Sequence, residues 1–320
     1  MASGYASIIK VSLVEMNMKQ MALIANSTHE LEYRLDVFKN IPGDKMPKSV
    51  SPEDLRKLGI YAGAAGFWLD KGRTKTMTDD GAGVTVSALV TGKSYENDFD
   101  TDGLMYEYPQ SKRPSTYDQS RIQATKTAAL LKLPIFVVIK PTSNSTNRDV
   151  FLGWIEAWDD ISKLFLISFG FEAPKGIPNG TDDDDDPFTF TSSNRLLDTK
   201  SKNIRKRKFR FKIMRRYKKV CMLCDIKITE LLAATHIRPT SKLGSDDVRN
   251  GLLLCNLHDK AFTEGLFSIN PSTYEITYRN GGPDKNELNI INEDLSNLPR
   301  KPHPKALNWH WEQWLSKNRS

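Results

Sequence analysis

Three cysteines and one histidine restrict the possible folds of this chain more than any other feature of its sequence. Cys221-x2-Cys224 and Cys255-x2-His258 are two closely spaced pairs about 30 residues apart, and they include every cysteine of the chain. Zn²⁺ prefers thiolate and imidazole ligands, and four of them at this spacing fit a tetrahedral structural site. The sequence therefore predicts a zinc ion that fastens these two segments together.

A strongly basic segment lies just before the first cysteine pair. Residues 202–219 contain eleven Lys or Arg residues and no acid, whereas residues 182–186 are five successive aspartates. Basic residues concentrated in one segment are typical of surfaces that bind the phosphate backbone of nucleic acids. A solvent-exposed helix face is the alternative interpretation of the same charges. We predict that the DNA backbone is contacted by Arg205, Lys206, Arg207, Lys208 and Arg210.

The composition divides the chain into four regions. Residues 1–50 form an N-terminal extension with one helix, predicted for roughly 18–40, and residues 51–172 alternate short β-rich runs with turn residues. Residues 173–195 are rich in Gly, Pro and Asp, which is typical of a linker. Residues 196–320 form a second domain that begins with a basic helix. We therefore expect an α+β protein in which a mostly β domain precedes the domain that carries the cysteines.

The apolar runs of the chain are too short to form a membrane helix. None approaches the ~18 unbroken apolar residues that a membrane span requires. The first residues also lack the basic start and long apolar run of a secretion signal. We therefore expect a cytoplasmic protein with no membrane partner.

Polar residues lie in a particular order around the cysteine pairs. The sequence reads Leu231-Leu-Ala-Ala-Thr-His236-Ile-Arg-Pro and later Asp247-Val-Arg-Asn250-Gly-Leu-Leu-Leu-Cys255-Asn-Leu-His258-Asp259-Lys-Ala-Phe262-Thr263. This strand–loop–helix pattern resembles the ββα-metal nucleases called HNH, over about Arg205 to Tyr278. The resemblance implies an enzyme that hydrolyses phosphodiester bonds of double-stranded DNA with the help of a divalent metal ion.

The same resemblance implies a role for each polar residue. His236 would be the general base that takes a proton from the attacking water, and Asn250 would hold that histidine or its loop in position. Asp259 would ligate a catalytic Mg²⁺, Mn²⁺ or similar ion, and Arg238 would contact the phosphate. The family usually carries an acid one helical turn after this aspartate. Here Thr263 takes that place as the second ligand, and its hydroxyl binds a hard cation more weakly than a carboxylate does.

His258 has two possible roles. Its spacing from Cys255 makes it the fourth zinc ligand, but it also lies near the third position of the HNH signature, which holds the catalytic metal. A closed structural site leaves no position for the second role. We favour the zinc role.

The first domain contains a segment rich in Tyr, Asp and Gly. It reads Lys93-Ser-Tyr95-Glu-Asn-Asp98-Phe-Asp100 and then Gly103-Leu-Met-Tyr106-Glu-Tyr108-Pro. One interpretation is a surface loop whose tyrosines pack on the domain. The order of these and the flanking segments, roughly Ser51 to Phe169, resembles the SRA (or YDG) domain. That family is a PUA-like barrel that flips 5-methylcytosine or 5-hydroxymethylcytosine out of duplex DNA.

This second resemblance implies the residues of a base-binding pocket. Tyr95 would stack on the flipped base, Asp98 would accept from the amino edge of cytosine, and Tyr106 or Tyr108 would stack on its other face. Three departures bear on the modification that the pocket accepts. Lys93-Ser94 replaces Gly-Gly before the first tyrosine, Tyr106-Glu-Tyr-Pro replaces Tyr-Thr-Gly, and Lys126 stands where Asn is usual.

Together the two domains predict a type IV-like restriction endonuclease that cleaves DNA near a modified cytosine. In one alternative the second domain is still a nuclease, but the first domain recognises an unmodified sequence or another modification. A second alternative is a nucleic-acid-binding module whose zinc is structural and whose catalytic metal site is lost. Cleavage of both strands requires two active sites or the repositioning of one, and we predict a homodimer at least on DNA.

Overall fold

The structure is a computed structural model that describes residues 22–23, 25–63, 66–90, 99–142, 144–175, 186–190 and 199–318. Its internal contacts divide the chain into two compact units. The first comprises residues 1–158 and 165–180, and the second comprises residues 159–164 and 181–320. Both contain helices and strands, so the predicted α+β class is confirmed.

The first unit is built on one mixed β-sheet with helices before and between its strands. The helices are α1 (residues 25–40), α2 (Pro52–Lys57), α3 (Lys71–Thr74) and α4 (Ser115–Leu130). The strands are β1 (Lys48–Val50), β2 (Gly66–Leu69), β3 (Thr85–Val90), β4 (Phe99–Asp100), β5 (Gly103–Glu107), β6 (Ile135–Ile139), β7 (Arg148–Asp159) and β8 (Leu164–Phe169). The helix predicted for roughly 18–40 is thus observed over its described part, and the β-rich runs contain strands.

This sheet is buried on both faces, which explains its continuous apolar runs. Along β6, Ile135 and Val137 belong to one cluster of buried side chains, whereas Phe136 and Val138 belong to another. Successive residues of a strand point to opposite faces of the sheet. An apolar run without alternation is therefore the pattern expected of a strand covered on both sides.

The predicted PUA-like barrel is not found. The strand order is β2-β3-β6-β7-β8-β5-β4, with β1 paired to β7, and among the described residues β2 and β4 lie at opposite ends of this path. A closed barrel would require its end strands to pair and would enclose a single core. The sheet instead separates two apolar clusters, so the strand content was predicted correctly and the closure was not.

The described part of the second unit contains three α-helices and two β-hairpins. In chain order these are α5 (Thr199–Arg216), β9 (Leu232–His236), β10 (Gly251–Cys255), α6 (Asn256–Thr263), β11 (Phe267–Ile269), β12 (Ile276–Tyr278) and α7 (Pro304–Lys317). β9 pairs antiparallel with β10, and β11 pairs antiparallel with β12. α6 follows β10 without a loop, which gives the strand–strand–helix order expected from the sequence.

Residues 186–190 fall within the segment predicted as a linker, and they pack within the second unit. Phe188 is buried and its ring stacks on His303 with 4.0 Å between ring centroids. The carbonyl oxygen of Asp186 accepts from the Arg249 guanidinium at 2.9 Å. The aromatic residues that follow Pro187 are the feature of the sequence that separates these residues from the acidic run before them.

No helix among the described residues is long and apolar enough to span a membrane.

A buried ion pair ties α1 to the sheet of the first unit. Arg34 is fully buried, and its Nε donates to Glu30 at 2.7 Å. Its Nη1 donates to the carbonyl oxygens of Thr85 at 2.9 Å and Pro134 at 2.7 Å. Glu30 also accepts from Arg73 at 3.0 Å. A buried arginine needs such partners, because an uncompensated charge in the protein interior is costly.

We expect Glu30→Ala to lower the free energy of unfolding by roughly 3–5 kcal/mol, because it leaves Arg34 buried without its counter-ion. Chemical denaturation measures this change. Glu53→Ala is the matched control, since Glu53 pairs with Lys57 at the same helical spacing on the surface. The control should leave the unfolding midpoint almost unchanged. Equal midpoints for both variants would contradict the role of the buried pair.

Candidate active site and metal-binding cluster

The two cysteine pairs meet in a single buried cluster. The ligand atoms of Cys221, Cys224, Cys255 and His258 all lie within 4.8 Å of one another. Nδ1 of His258 lies 3.3 Å from the Cys221 sulfur and 3.2 Å from the Cys255 sulfur. Three thiols and one imidazole at such separations could hold a single metal ion. Within the described ranges, this is the one group of three or more Cys, His, Asp or Glu side chains arranged to do so.

Both ring nitrogens of His258 have partners, and Nδ1 is the one that faces the cysteines. Its Nε2 donates to the carbonyl oxygen of Leu288 at 2.9 Å, so Nδ1 carries a lone pair toward the cysteines. A hydrogen bond of this kind orients a metal-ligating histidine and fixes its tautomer. Burial opposes ionisation of the Cys221 thiol, yet its hydrogen bonds, including those from backbone amides, lower its pKa to about 7. This favours the thiolate, which is the form that binds a metal.

His236 is the last residue of β9, and helix α5 packs directly behind it. The Phe209 ring of α5 stacks on the His236 imidazole with 3.8 Å between centroids and 8° between planes. Gly251 pairs with His236 across the hairpin. A Cβ atom at Gly251 would lie 2.7 Å from Phe209 and 2.3 Å from Ile213. The missing side chain therefore lets α5 approach closely enough to support the histidine.

An aspartate and an arginine complete the surroundings of this histidine. Nε2 of His236 lies 3.1 Å from Oδ1 of Asp246. Oδ2 of Asp246 accepts from both Nε and Nη2 of Arg205 at 2.6 Å. Burial acts to raise the pKa of the Asp246 carboxyl, but the hydrogen bonds from His236 and Arg205 outweigh it and hold that pKa below its usual range. The carboxylate is therefore ionised at neutral pH.

Asn250 fixes the loop between the two strands rather than the histidine ring. It is fully buried, and its side-chain oxygen accepts from the backbone amide of Arg238 at 3.0 Å. Its side-chain nitrogen donates to the carbonyl oxygens of Arg238 at 3.0 Å and Ser245 at 2.8 Å. Of the two actions expected of Asn250, holding the histidine or holding its loop, the contacts are those of the second.

Asp259 lies in the first turn of α6 and is tied to the strand that carries His236. The hydroxyl of Thr235 donates to Oδ1 of Asp259 at 2.5 Å. Thr235 directly precedes His236, so this bond holds the carboxylate next to the end of β9. Thr263 is exposed one turn further along α6. Asp259, Thr235 and Thr263 offer one carboxylate and two hydroxyls, which suit a hard divalent cation but include a single charged ligand.

A cleft of about 770 Å³ opens beside His236. Its walls include Arg238 and Thr263 together with Trp309 and Lys317 of α7. The Arg238 guanidinium lies over the rings of Phe190 at 4.4 Å and Trp309 at 5.5 Å. Its Nε donates to the carbonyl oxygen of Lys242 at 2.6 Å. The cleft therefore combines basic groups with aromatic faces next to the histidine.

The basic residues predicted to contact DNA do not form one exposed row. Arg207 is buried, Lys206 is exposed, and Lys208 is partly exposed. Arg205 pairs with Asp246, as described above. Arg210 donates to the backbone carbonyl oxygens of Leu232 and Thr229, the second at 2.9 Å. Part of the positive charge of α5 thus serves contacts within the second unit.

The residues predicted to bind a modified base divide into two groups. Tyr95 and Asp98 lie outside the described residues. Tyr106 and Tyr108 are buried at 4% and 6% exposure in the core of the first unit. The Tyr106 hydroxyl donates to the carbonyl oxygen of Leu89 at 3.2 Å, and the Tyr108 ring packs against Phe165 at 4.5 Å. In this structure both rings contribute to packing, which is the interpretation that the sequence left open.

The sequence analysis missed Asp246, Phe209 and helix α7 as parts of this site. Asp246 lies ten residues after the histidine in a loop, and nothing in the spacing separates it from Asp247. Phe209 is one of several apolar residues within the basic segment, and nothing in the sequence pairs it with the histidine. The sequence does carry one indication for α7, because Trp309, Gln313 and Lys317 recur at one-turn intervals and all line the cleft.

Comparisons with known proteins agree with the geometry of the second unit. Residues 221–270 match the HNH endonuclease family. The predicted HNH endonuclease domain is therefore confirmed there, and with it the predicted class of enzyme, a DNA endonuclease; metal dependence is typical of that family. No curated protein matches the chain. One solved structure, a modification-dependent TagI restriction endonuclease, aligns with 86% of this chain and 94% of its own, at 17% identity and a TM-score of 0.32. A likeness at this TM-score supports no inference about fold or function.

The buried cluster predicts one tightly bound metal ion per chain. We expect His258→Ala to lose that ion and to lower the melting temperature of the second unit, because a metal site of this kind contributes directly to folding. Elemental analysis of the purified protein and a thermal melt measure both effects. His303→Ala is the matched control, since His303 lies in the same unit and outside the cluster. Equal metal content in both variants would contradict the assignment.

Proposed function

We propose that this chain is a metal-dependent endonuclease in which His236 is the catalytic base. Its first unit recognises a nucleobase, and the nuclease cleaves the DNA nearby. The observation that carries the proposal is the bond between Thr235 and Asp259. This bond links Thr235, the residue next to the histidine in β9, to the carboxylate of Asp259 in the first turn of α6. The proposed general base for the attacking water and one proposed ligand of the metal thereby belong to one strand–strand–helix element, near the end of β9.

The residues around the cleft divide the chemistry of hydrolysis among them. His236 accepts a proton from the attacking water. Arg238 lines the same cleft and supplies positive charge for the phosphate. Asn250 keeps the backbone of Arg238 in place and so positions this loop. A divalent ion, when bound, polarises a phosphate oxygen and stabilises the leaving oxygen.

Two different metals belong to this proposal. Zn²⁺ suits the three thiols and the imidazole of the buried cluster, where His258 is the fourth ligand. Mg²⁺, Mn²⁺ or a similar ion suits the oxygen donors around Asp259, with Thr263 on the same face of α6. The first ion is structural and the second is catalytic.

We further propose that the first unit reads modified cytosine, 5-methyl or 5-hydroxymethyl, by flipping it out of the duplex. The support is the order of segments in the sequence, with Tyr95 and Asp98 as the residues that would hold the base. A second candidate is a reader of unmodified sequence or of another modification. The burial of Tyr106 and Tyr108 favours this second candidate, because a ring enclosed by the core has no face left for a flipped base.

Cutting both strands takes two active sites or the repositioning of one, and the proposal includes a homodimer on double-stranded DNA. Light scattering with and without target DNA tests this. The proposal also includes a cytoplasmic location, where the enzyme would meet incoming DNA.

The first test of the function is cleavage of one plasmid in three forms, unmodified, 5-methylcytosine and 5-hydroxymethylcytosine, with Mg²⁺ or Mn²⁺. We expect cleavage of the modified forms, and we expect His236→Ala to abolish it because it removes the proposed base for the water. His303→Ala is the control for loss of a histidine elsewhere in the unit. Equal cleavage of all three plasmids would favour the second candidate reader. Full activity of His236→Ala would contradict the nuclease site.

The threonine at the usual acidic position predicts weak binding of the catalytic metal. We expect Thr263→Asp to lower the concentration of Mg²⁺ or Mn²⁺ that gives half-maximal cleavage, because a carboxylate binds a hard cation more strongly than a hydroxyl. Thr263→Val is the matched control, since it keeps the shape of the side chain and removes the oxygen. If both variants match the wild type in this metal titration, Thr263 is not a ligand of the catalytic metal.

A further inference from the structure

We propose that Asp246 positions His236 for catalysis and that Arg205 holds Asp246 in turn, so that Nδ1 of the histidine is the nitrogen that accepts the proton. This inference rests on the proposed function, in which His236 is the general base.

The contact between His236 and Asp246 fixes the tautomer of the imidazole. Nε2 lies 3.1 Å from a carboxylate oxygen, and an ionised carboxylate can only accept a hydrogen bond. Nε2 therefore carries the proton, and Nδ1 of the neutral ring carries the lone pair. When a water O–H bond breaks, its proton passes to Nδ1 and its oxygen bonds to phosphorus, while the ester oxygen leaves with its electron pair. The carboxylate then stabilises the imidazolium that has formed.

Arg205 fixes the carboxylate so that only one of its oxygens faces the histidine. Both Nε and Nη2 of Arg205 bond to Oδ2 at 2.6 Å, whereas Oδ1 faces His236. Because both donors bond to the same oxygen, the guanidinium occupies Oδ2 and leaves Oδ1 to accept from Nε2 of His236.

The same helix also fixes the plane of the imidazole. Phe209 lies four residues after Arg205, one turn along α5 and on the same face. Its ring lies nearly parallel to the His236 ring at 3.8 Å. One face of α5 thus sets the plane of the histidine through Phe209 and its hydrogen bond through Arg205 and Asp246.

The neighbouring Asp247 does not share this position. It pairs with Arg249 at 2.7 Å and accepts from the backbone amide of that residue at 2.8 Å. Asp247→Asn therefore breaks an ion pair of similar length in the same loop without touching the histidine contact. It is the matched control for Asp246→Asn.

We expect Asp246→Asn to lower kcat for DNA cleavage by on the order of 10²- to 10⁴-fold with little change in KM, because the amide can donate to Nε2 and so favour the other tautomer. Asp247→Asn should keep kcat close to the wild-type value. If both variants keep wild-type kcat while His236→Ala is inactive, the positioning role is wrong and the nuclease proposal stands. If His236→Ala remains active, both are wrong.

A spectroscopic measurement tests the tautomer without relying on activity. The chain has five histidines, and ¹⁵N-histidine labelling gives a separate ring signature for each of them. His236 is identified by its absence from the spectrum of His236→Ala. We expect protonated Nε2 and unprotonated Nδ1 in the wild type, and a shift of the proton toward Nδ1 in Asp246→Asn. An unchanged signature in Asp246→Asn, or protonated Nδ1 in the wild type, would overturn the inference.

Arg205 is tested by comparison with Lys206, its exposed neighbour in the basic segment. We expect Arg205→Gln to lower kcat by roughly tenfold without raising KM. We expect Lys206→Gln to raise KM, as for a contact to the DNA backbone. If Arg205→Gln raises KM alone and weakens the salt dependence of binding, Arg205 contacts DNA and does not serve Asp246.

Discussion

The second unit depends on the cluster of Cys221, Cys224, Cys255 and His258. Cys255 ends β10 and His258 lies in the first turn of α6, so the cluster spans the point where strand becomes helix. The amide of Cys255 also donates to the Cys221 sulfur at 3.2 Å, which anchors that point to the first pair. Asp259 is the next residue after His258, and its place therefore follows from the cluster. A metal at this position would organise the active site without touching the substrate.

The basic helix α5 also makes structural contacts within the second unit. Its charges predict a surface for DNA, yet Arg205 and Arg210 bond to groups of the second unit, and Phe209 supports the histidine. Gly251 makes this possible, because any larger residue there would hold the helix away from the hairpin. Charge in a sequence indicates affinity for phosphate, but buried carbonyl and carboxylate oxygens are equally good partners for arginine. Which of them a given arginine binds depends on how the helix packs.

In the first unit, aromatic residues predicted from the sequence to bind a nucleobase are packed in the core. Tyr106 lies on β5 among buried side chains, and its hydroxyl is satisfied by a backbone carbonyl. A tyrosine can line a pocket or fill a core with the same ring, since both use its apolar faces and both satisfy its hydroxyl. The sheet that carries it is an open path covered on both sides, so its faces are used for packing.

The sequence by itself determined the elements whose chemistry is local. The spacing of the cysteine pairs predicted the cluster and the place of His258, and the order around His236 predicted the hairpin and helix of the HNH domain. Only the tertiary structure decided that the first sheet is not a closed barrel and that Asp246 faces the histidine. The spacing within each ligand pair is set by a few neighbouring residues. Strand closure and a contact between a helix and a loop depend instead on residues distant in sequence. Packing decides which of these distant residues contact one another, and a sequence pattern does not specify that packing.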